Sequence, residues 1–571
     1  MKDNGESPVP GHEPNGKEAA IQVICLGSGG GPSEDDVTGL LVRSTATQWA
    51  NNSLLAVDAG THLASITRIL QNDFPLISQD PKPCADSNGN GHDSPKEDSD
   101  CSSSASPEES LPQPTVLTSG PFAGLSVPHS SARANAADIV RNHVSTYLIT
   151  HPHLDHLSGF AVNTAAFHAT SRPKRLAALP FTVNAVKSHI FNDVIWPNLT
   201  DEDGGVGFVT FQRMAEGGNV MVGEGEGRGY IEVTEGLAAR GFGISHGNCV
   251  IGPPEHVHSG FMSHDAGTPG GHDVPGRKGS LAHIITQLNN PTRRFSIQGM
   301  AGSPGSAGGG GAGAAQNHVV DSTAFFIRTT SVTPPREILV FGDVEPDSIS
   351  ESPRTHIVWS EAAPRIASGT LNGIFIECSY DDSQPDNVLF GHLAPRHLIA
   401  EMRVLADHVR EAKRQKSSTE ANGTKRKRAS LNGVDGMPGA HAATKRPSYE
   451  RKRSKSLSTK SSHGAQRKSF VVDANADGAG GEDVVSPTAA ARDALPARRS
   501  KRGGEAESAG TLPLEGVKVV IIHVKDTLKD GPHVSERILR QLTEHEAGLR
   551  KKGEGLGCEF VVSESGRSYW F

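Results

Sequence analysis

Large apolar side chains are scarce in this chain: aromatics make up 5% and all apolar residues 35% of its 571 positions, against 64 glycines and 36 prolines. Much of it therefore cannot pack, and what remains after the low-complexity tracts, about 300 residues, suffices for one large core. No apolar run approaches the roughly 20 residues that span a bilayer. The opening MKDNGESPVPGHEPNG is polar and has no apolar signal-peptide core. A soluble, cytoplasmic protein is the expectation. Six cysteines, Cys25, Cys84, Cys101, Cys249, Cys378 and Cys558, lie apart without CxxC spacing. They read as free thiols rather than a disulfide framework or a cysteine-held metal. The net charge of -8 is mild and demands neither nucleic acid nor membrane as a partner. GSGGGP at Gly27–Pro32 matches neither GxxxxGK[ST] nor a clear GxGxxG. It reads first as a sharp turn and second as a place where backbone approaches a ligand.

What is present is concentrated in HPHLDHLSG, His151 to Gly159. Four metal-grade side chains, His151, His153, Asp155 and His156, follow an apolar run, Val144 to Thr150, that reads as a buried strand. Residues two apart in extended backbone point to one side, so His151 and His153 can grip one ion. As the chain turns helical, Asp155 and His156 can swing to a second. Imidazole and carboxylate together suit zinc or a similar divalent ion.

Three later strands end in residues of the same chemistry. Gly241 to Cys249 runs through His246, Glu337 to Phe341 ends in Gly342-Asp343, and Val517 to His523 ends in His523. If all ends share one edge of a sandwich, His151, His153 and His246 hold one ion. Asp155, His156 and His523 then hold the other, with Asp343 bridging. Taken singly, His246 and Asp343 also fit turns, and His523 fits a satisfied core histidine. Asp58, at the end of a strand through Leu54 to Val57, either orients a ligating histidine or caps the helix expected from His62 to Leu70. A further strand, Leu371 to Glu377, precedes His392, which sits at the start of a helix from Pro395 to Lys413.

Alternating strands and helices fit an α/β fold, a four-layered αββα sandwich interrupted by disordered insertions. The expected boundaries are a leader over 1–18 and a catalytic domain over 19–405, with flexible insertions near 78–130, 252–280 and 300–318. A basic, serine-rich insertion over 406–511 precedes the rest of the domain, 512–571. The histidine-rich stretch at 252–280 (His256, His258, His264, His272) has no strand to fix ligands and is set aside as a metal site.

HPHLDHL, with SHG at Ser245, FGDVEPD at Phe341, IECSY at Ile376, FGHL at Phe390 and IIHVKD at Ile521, resembles the class II cyclic-nucleotide phosphodiesterases, a branch of the metallo-β-lactamase fold. The match covers about 20–405 and 515–571. The helix after HLDH departs from the usual pattern, reading Gly159-Phe160-Ala161-Val162-Asn163-Thr164-Ala165, although Thr164 keeps a hydroxyl. The resemblance implies two divalent ions, a cyclic AMP or cyclic GMP substrate and a nucleoside 5′-monophosphate product. Asp155 and His392 are the candidate catalytic residues. His392 would give a proton or hydrogen bond to the reacting phosphate. Glu377 and Lys525 are candidate substrate-binding residues, with Glu377 alternatively holding a neighbouring histidine. Whether His392 or His523 completes the metal site stays open; His523 is preferred because it ends a strand.

Two other classes compete: a tRNA 3′-processing endonuclease of the same fold, and a non-catalytic scaffold. The first carries a His-Glu-Ala-Thr type motif where this chain has Ile-Glu-Cys-Ser, and a scaffold would have lost ligands, whereas all seven are kept. The basic tract, with KRKR at Lys425–Arg428, lacks interleaved aromatics and so does not read as a nucleic-acid grip. Three readings of it stand: a basophilic kinase acting on Ser430 or Ser448, a nuclear-import signal giving access to the nucleus, or an inert linker.

Overall fold

Short runs of branched and apolar residues bounded by glycine, proline and aspartate become strands, and longer amphipathic runs become helices. The computed structural model describes residues 19–74, 114–251, 316–431 and 512–571. The histidine-rich stretch at 252–280, the leader, Ser448 and the serine-rich part of the basic tract lie outside the described residues.

The first sheet has the order β16-β1-β2-β3-β6-β7-β8. Its strands are β1 (Ile21–Gly27), β2 (Gly39–Ser44), β3 (Leu54–Ala59), β6 (Val144–Leu148), β7 (Lys174–Ala178), β8 (Val209–Arg213) and β16 (Ser568–Trp570). The second has the order β15-β14-β13-β12-β11-β10-β9. It is made of β9 (Ile231–Thr234), β10 (Leu237–Ile251), β11 (Gln316–Thr329), β12 (Glu337–Phe341), β13 (Leu371–Glu377), β14 (Lys518–Ile522) and β15 (Glu559–Val562). Successive side chains of a strand point to opposite faces, and the core divides accordingly. Ile21, Val23, Cys25, Leu55 and Val57 of the first sheet meet Phe325, Ile327, Val340, Phe375 and Val520 of the second between the sheets.

The intervening residues face outward onto helices. Ile24, Leu26, Leu41 and Tyr147 pack against α1 (Leu63–Asp73), α2 (Ala132–Asp138), α3 (Leu154–Asn163) and α4 (Pro180–His189). On the other side Phe326, Leu339, Ile374 and Ile521 pack against α5 (Thr355–Ser368), α6 (Pro395–Leu431) and α7 (Val534–Lys551). The layers are therefore α, β, β and α. The described residues up to Glu420 and again from 512 form one compact unit, whereas the end of α6 from Ala421 belongs to a second unit.

Several expectations need correction. Residues 114–130, placed in a flexible insertion, form a hairpin of β4 (Thr115–Val116) and β5 (Ser126–Val127) that buries Leu117, Phe122, Leu125 and Val127. Four spaced apolar residues anchor it, too few to register against the polar background. The basic insertion does not begin at 406: Ala406 and Val409 are buried, and α6 runs on to Leu431, so Ser430 falls within it. The sequence also predicts no strand after β15, whereas β16 follows and pairs antiparallel with β1.

In the second sheet β12, β13, β14 and β15 are parallel neighbours, and in the first β3, β6, β7 and β8 are. Parallel strands bring their C-terminal ends to one edge. That edge of both sheets carries the site.

Candidate metal centre

His151 lies just beyond β6, whose five residues are all buried, and is itself fully buried. His153 takes the N-cap position of α3 in extended backbone, so Asp155 and His156 enter the first turn. A carboxylate there is favoured by the helix dipole. His246 lies in β10 where the register to β11 shifts between Ser245 and Asn248, with Gly247 at φ 85. This irregularity re-aims a side chain, as bulges do near sites. Asp343 follows β12 after Gly342, and His523 follows β14 in left-handed backbone, φ 57.

The side chains converge on Asp343. Its Oδ2 lies 3.6 Å from His151 Nε2, 3.6 Å from His246 Nε2 and 3.2 Å from His523 Nε2. Its Oδ1 lies 3.2 Å from His156 Nε2. His153 Nδ1 is 3.0 Å from His151 Nε2, and Asp155 Oδ2 is 3.7 Å from His523 Nε2. Two groups result, His151, His153, His246 and Asp343, and Asp155, His156, His523 and Asp343, each with ligand atoms within 4.8 Å of one another. These are the two sets expected from the sequence, with Asp343 common to both.

The outer nitrogens are tied to the protein. Asp58 accepts from His156 Nδ1 at 2.8 Å, and its other oxygen accepts from the Thr150 backbone N–H at 2.8 Å. Thr38 Oγ1 is 2.9 Å from His523 Nδ1, and the Gly391 carbonyl accepts from His246 Nδ1 at 2.9 Å. With Nδ1 held, Nε2 of each ring is turned inward. That division of labour is what fixes a ligating histidine. Yet His156 Nε2, His523 Nε2 and Asp343 Oδ1 are buried without a hydrogen-bond partner among the described residues. Orphaned buried polar atoms are costly, and these three aim at one another. A binuclear cation site fits this donor set, since cations would take up the free lone pairs.

The electrostatics agree. Burial drives His246 down to about 3 and holds His151, His153 and His523 below their ordinary value, so these rings are neutral and ligand-competent. His156 is the exception: burial disfavours its charge, but Asp343 and Asp58 outweigh burial and raise it. Burial would raise Asp343, but His523, His156 and His151 hold it well below the usual carboxylate range.

His392, left open as a last ligand, stands beside this set. Its ring stacks on His523 with centroids 5.3 Å apart, and its Nδ1 is 2.9 Å from Glu377 Oε1. It groups with His246 and Glu377 rather than with Asp155 and His156. Glu377 is a candidate substrate-binding residue from the sequence. It is buried and its oxygens accept from Val344 N–H, Leu393 N–H and Ser379 Oγ as well as meeting His392. Its alternative role, holding a histidine, is the one the geometry allows. Lys525 Nζ donates to the Gly30 carbonyl at 3.1 Å. Asp58 sits at the end of β3 beneath His156, while the N-cap of α1 is His62 without a side-chain cap bond.

Sequence reasoning missed Thr38, Thr150 and Gly391, which hold ligands through a hydroxyl or a carbonyl that no residue type betrays. It left Gly30 at a generic turn. An added Cβ at Gly30 would lie 2.7 Å from His523 Nε2, so backbone passes directly over a site ring.

The family model "cAMP phosphodiesterases class-II" matches residues 113–223 and 310–425. A 3′,5′-cyclic-nucleotide phosphodiesterase of Schizosaccharomyces pombe is 24% identical over 388 residues, 68% of this chain and 76% of that protein. One from Candida albicans is 24% identical over 425 residues, 70% of this chain and 85% of that protein. The crystal structure of unliganded yeast PDE1 has the same fold at a TM-score of 0.51 and 17% identity, covering 97% of this chain and 100% of that one. With the cation-fitting donor set at the shared edge of its two sheets, the chain is a hydrolase similar to the class II cyclic-nucleotide phosphodiesterases, and its αββα sandwich is the fold expected from the sequence.

Proposed function

We propose that the chain is a metal-dependent 3′,5′-cyclic-nucleotide phosphodiesterase that hydrolyses cyclic AMP, and cyclic GMP beside it, to the 5′-monophosphate in the cytoplasm. The observation that carries this reading is a further histidine, His392, stacked on His523 of a seven-residue donor set in which His156 Nε2, His523 Nε2 and Asp343 Oδ1 lack hydrogen-bond partners among the described residues. The names of the two fungal relatives point to the same substrate class.

His151, His153, His246 and Asp343 would hold one divalent ion, and Asp155, His156, His523 and Asp343 the other, with zinc the metal such nitrogen and oxygen donors favour. Two such ions, when bound, supply Lewis acidity toward the phosphate and an acidified water. The chain's own contribution is position and protons. Asp58, Thr38 and the Gly391 carbonyl fix three rings by Nδ1. Asp155 is the half-exposed carboxylate of the set, the one open to a reacting molecule. Glu377 holds His392 by Nδ1 and leaves its Nε2 without a hydrogen bond among the described residues. In this reading that nitrogen hands a proton to the 3′ oxygen as it departs. Lys525, on the carbonyl of Gly30, adds positive charge beside the phosphate.

The test is to incubate purified protein with cyclic AMP, cyclic GMP and a tRNA precursor, each with and without chelator. Both cyclic nucleotides should yield 5′-monophosphate, and chelator should abolish turnover. Cleavage of the tRNA precursor alone overturns the reading.

A further inference from the structure

Phe390 precedes Gly391 and His392 and is 65% exposed, the one aromatic among the exposed large apolar side chains of the described residues. Its backbone has φ 53, a region that bulky residues avoid. Its neighbours explain how it is held there. Leu389 and Leu393 are buried on either side. Gly391 has φ 83 and passes so close to His246 that an added Cβ would lie 2.5 Å from the His246 carbonyl oxygen and 3.0 Å from Nδ1. Its own carbonyl accepts from that Nδ1 at 2.9 Å. The turn is thus pinned against the donor set on its inner side while the phenyl ring stands in solvent. Among the described residues that ring belongs to none of the core clusters. Backbone strain retained beside a site is a pointer to function.

A second exposed apolar residue adjoins the same set. Leu154 is 66% exposed and sits between His153 and Asp155. Large apolar side chains therefore border the donor set on two of its elements, the turn before His392 and the start of α3. In a cyclic nucleotide the phosphate and ribose are polar, and the base is the flat, weakly polar part. With phosphate at the donor set, the base must lie against whatever adjoins it. A nucleobase stacks on an aromatic face whatever its hydrogen-bonding edge.

We propose that Phe390 is the platform on which the base of the substrate stacks, with Leu154 making apolar contact from the His153 side. The proposal rests on the cyclic-nucleotide reading above and assigns Phe390 to substrate binding and specificity, not to chemistry.

The experiment compares two substrates, cyclic AMP and the abasic ribose 3′,5′-cyclic phosphate, across the parent, Phe390→Ala, Phe390→Leu and Phe390→Tyr. Loss of the aromatic face in Phe390→Ala and Phe390→Leu should raise KM for cyclic AMP by about tenfold, toward the low end of base stacking. Turnover number should hold, and KM for the abasic phosphate should not move. Phe390→Tyr should behave as the parent. If Phe390→Ala alters the turn, Phe390→Leu, which keeps the apolar bulk, decides. Unchanged KM for cyclic AMP in Phe390→Leu overturns the proposal, as does an equal rise for both substrates. A parent enzyme that turns over neither cyclic phosphate removes the functional reading itself, a separate result from a silent Phe390 in an active enzyme.

Discussion

Asp58 and His156 are joined by a 2.8 Å contact between a carboxylate oxygen and Nδ1, both buried, with the second carboxylate oxygen on the Thr150 backbone N–H. One aspartate thus fixes a ring of the second donor group and the chain entering the first. Asp58→Ala should lower metal affinity by about 10- to 100-fold, as removal of such supports typically does. Metal titration followed by mass spectrometry of the bound ions checks it. Asp58→Asn, which can still accept a hydrogen bond, should lose less.

Gly30 supports His523 from the other side by having no side chain. Gly30→Ala would set a Cβ 2.7 Å from His523 Nε2, the atom that faces Asp343 at 3.2 Å. The expected outcome is at least about a tenfold fall in kcat/KM, of the size that a small misplacement of reacting groups produces. Circular dichroism should show the fold retained. A fully active Gly30→Ala enzyme would mean that this approach has no bearing on the site.

In the proposed function His392 and Glu377, 2.9 Å apart at Nδ1 and Oε1, are the proton-handling pair. His392→Asn should cost about 10²- to 10⁴-fold in kcat, the usual worth of a positioned acid, with bound metal unchanged. Glu377→Gln should fall short of that, since the amide oxygen can still accept from Nδ1. Loss of metal in His392→Asn, measured on the purified protein, would instead make His392 a ligand.

A pH-dependent stability is built in far from the site. Lys174, buried at the start of β7, donates to the Arg141 carbonyl at 2.6 Å and to that of Val144. Burial, with Arg172 adding repulsion, pushes its ammonium down from the ordinary 10.5 to about 7. Between those two values the unfolded chain binds this proton and the folded chain does not, so Lys174 makes stability rise with pH across that window. Lys174→Met removes the term. The parent's melting temperature should therefore gain on that of Lys174→Met between pH 7 and pH 10. Parallel pH profiles would show that Lys174 does not titrate there.

The donor set was legible because its chemistry is confined to a few residue types and each member ends a strand or opens a helix. His151, His153, Asp155 and His156 announce themselves within one short stretch. His246, Asp343 and His523 needed the further premise that parallel strands share an edge. What supports the set was largely illegible. Thr38 and the Gly391 carbonyl are ordinary until distant chain is folded against them, and Gly30 acts by what it lacks. Elements failed for similar reasons. Helix α5 contains Pro364, which breaks its pattern, yet it buries Trp359 and Val358 and holds. β16 is three residues long, too short for any periodicity. α6 was cut short because its charged end resembles a linker.

β14 has a parallel neighbour on each side, β13 and β15, and delivers His523 to the site after the excursion that separates it from α6. Sheet pairing, not covalent continuity, sets where that histidine stands. A chain nicked between 431 and 512 should thus keep its catalytic architecture. Two polypeptides co-expressed from either side of that gap should assemble into one working enzyme, the shorter of them donating a single imidazole.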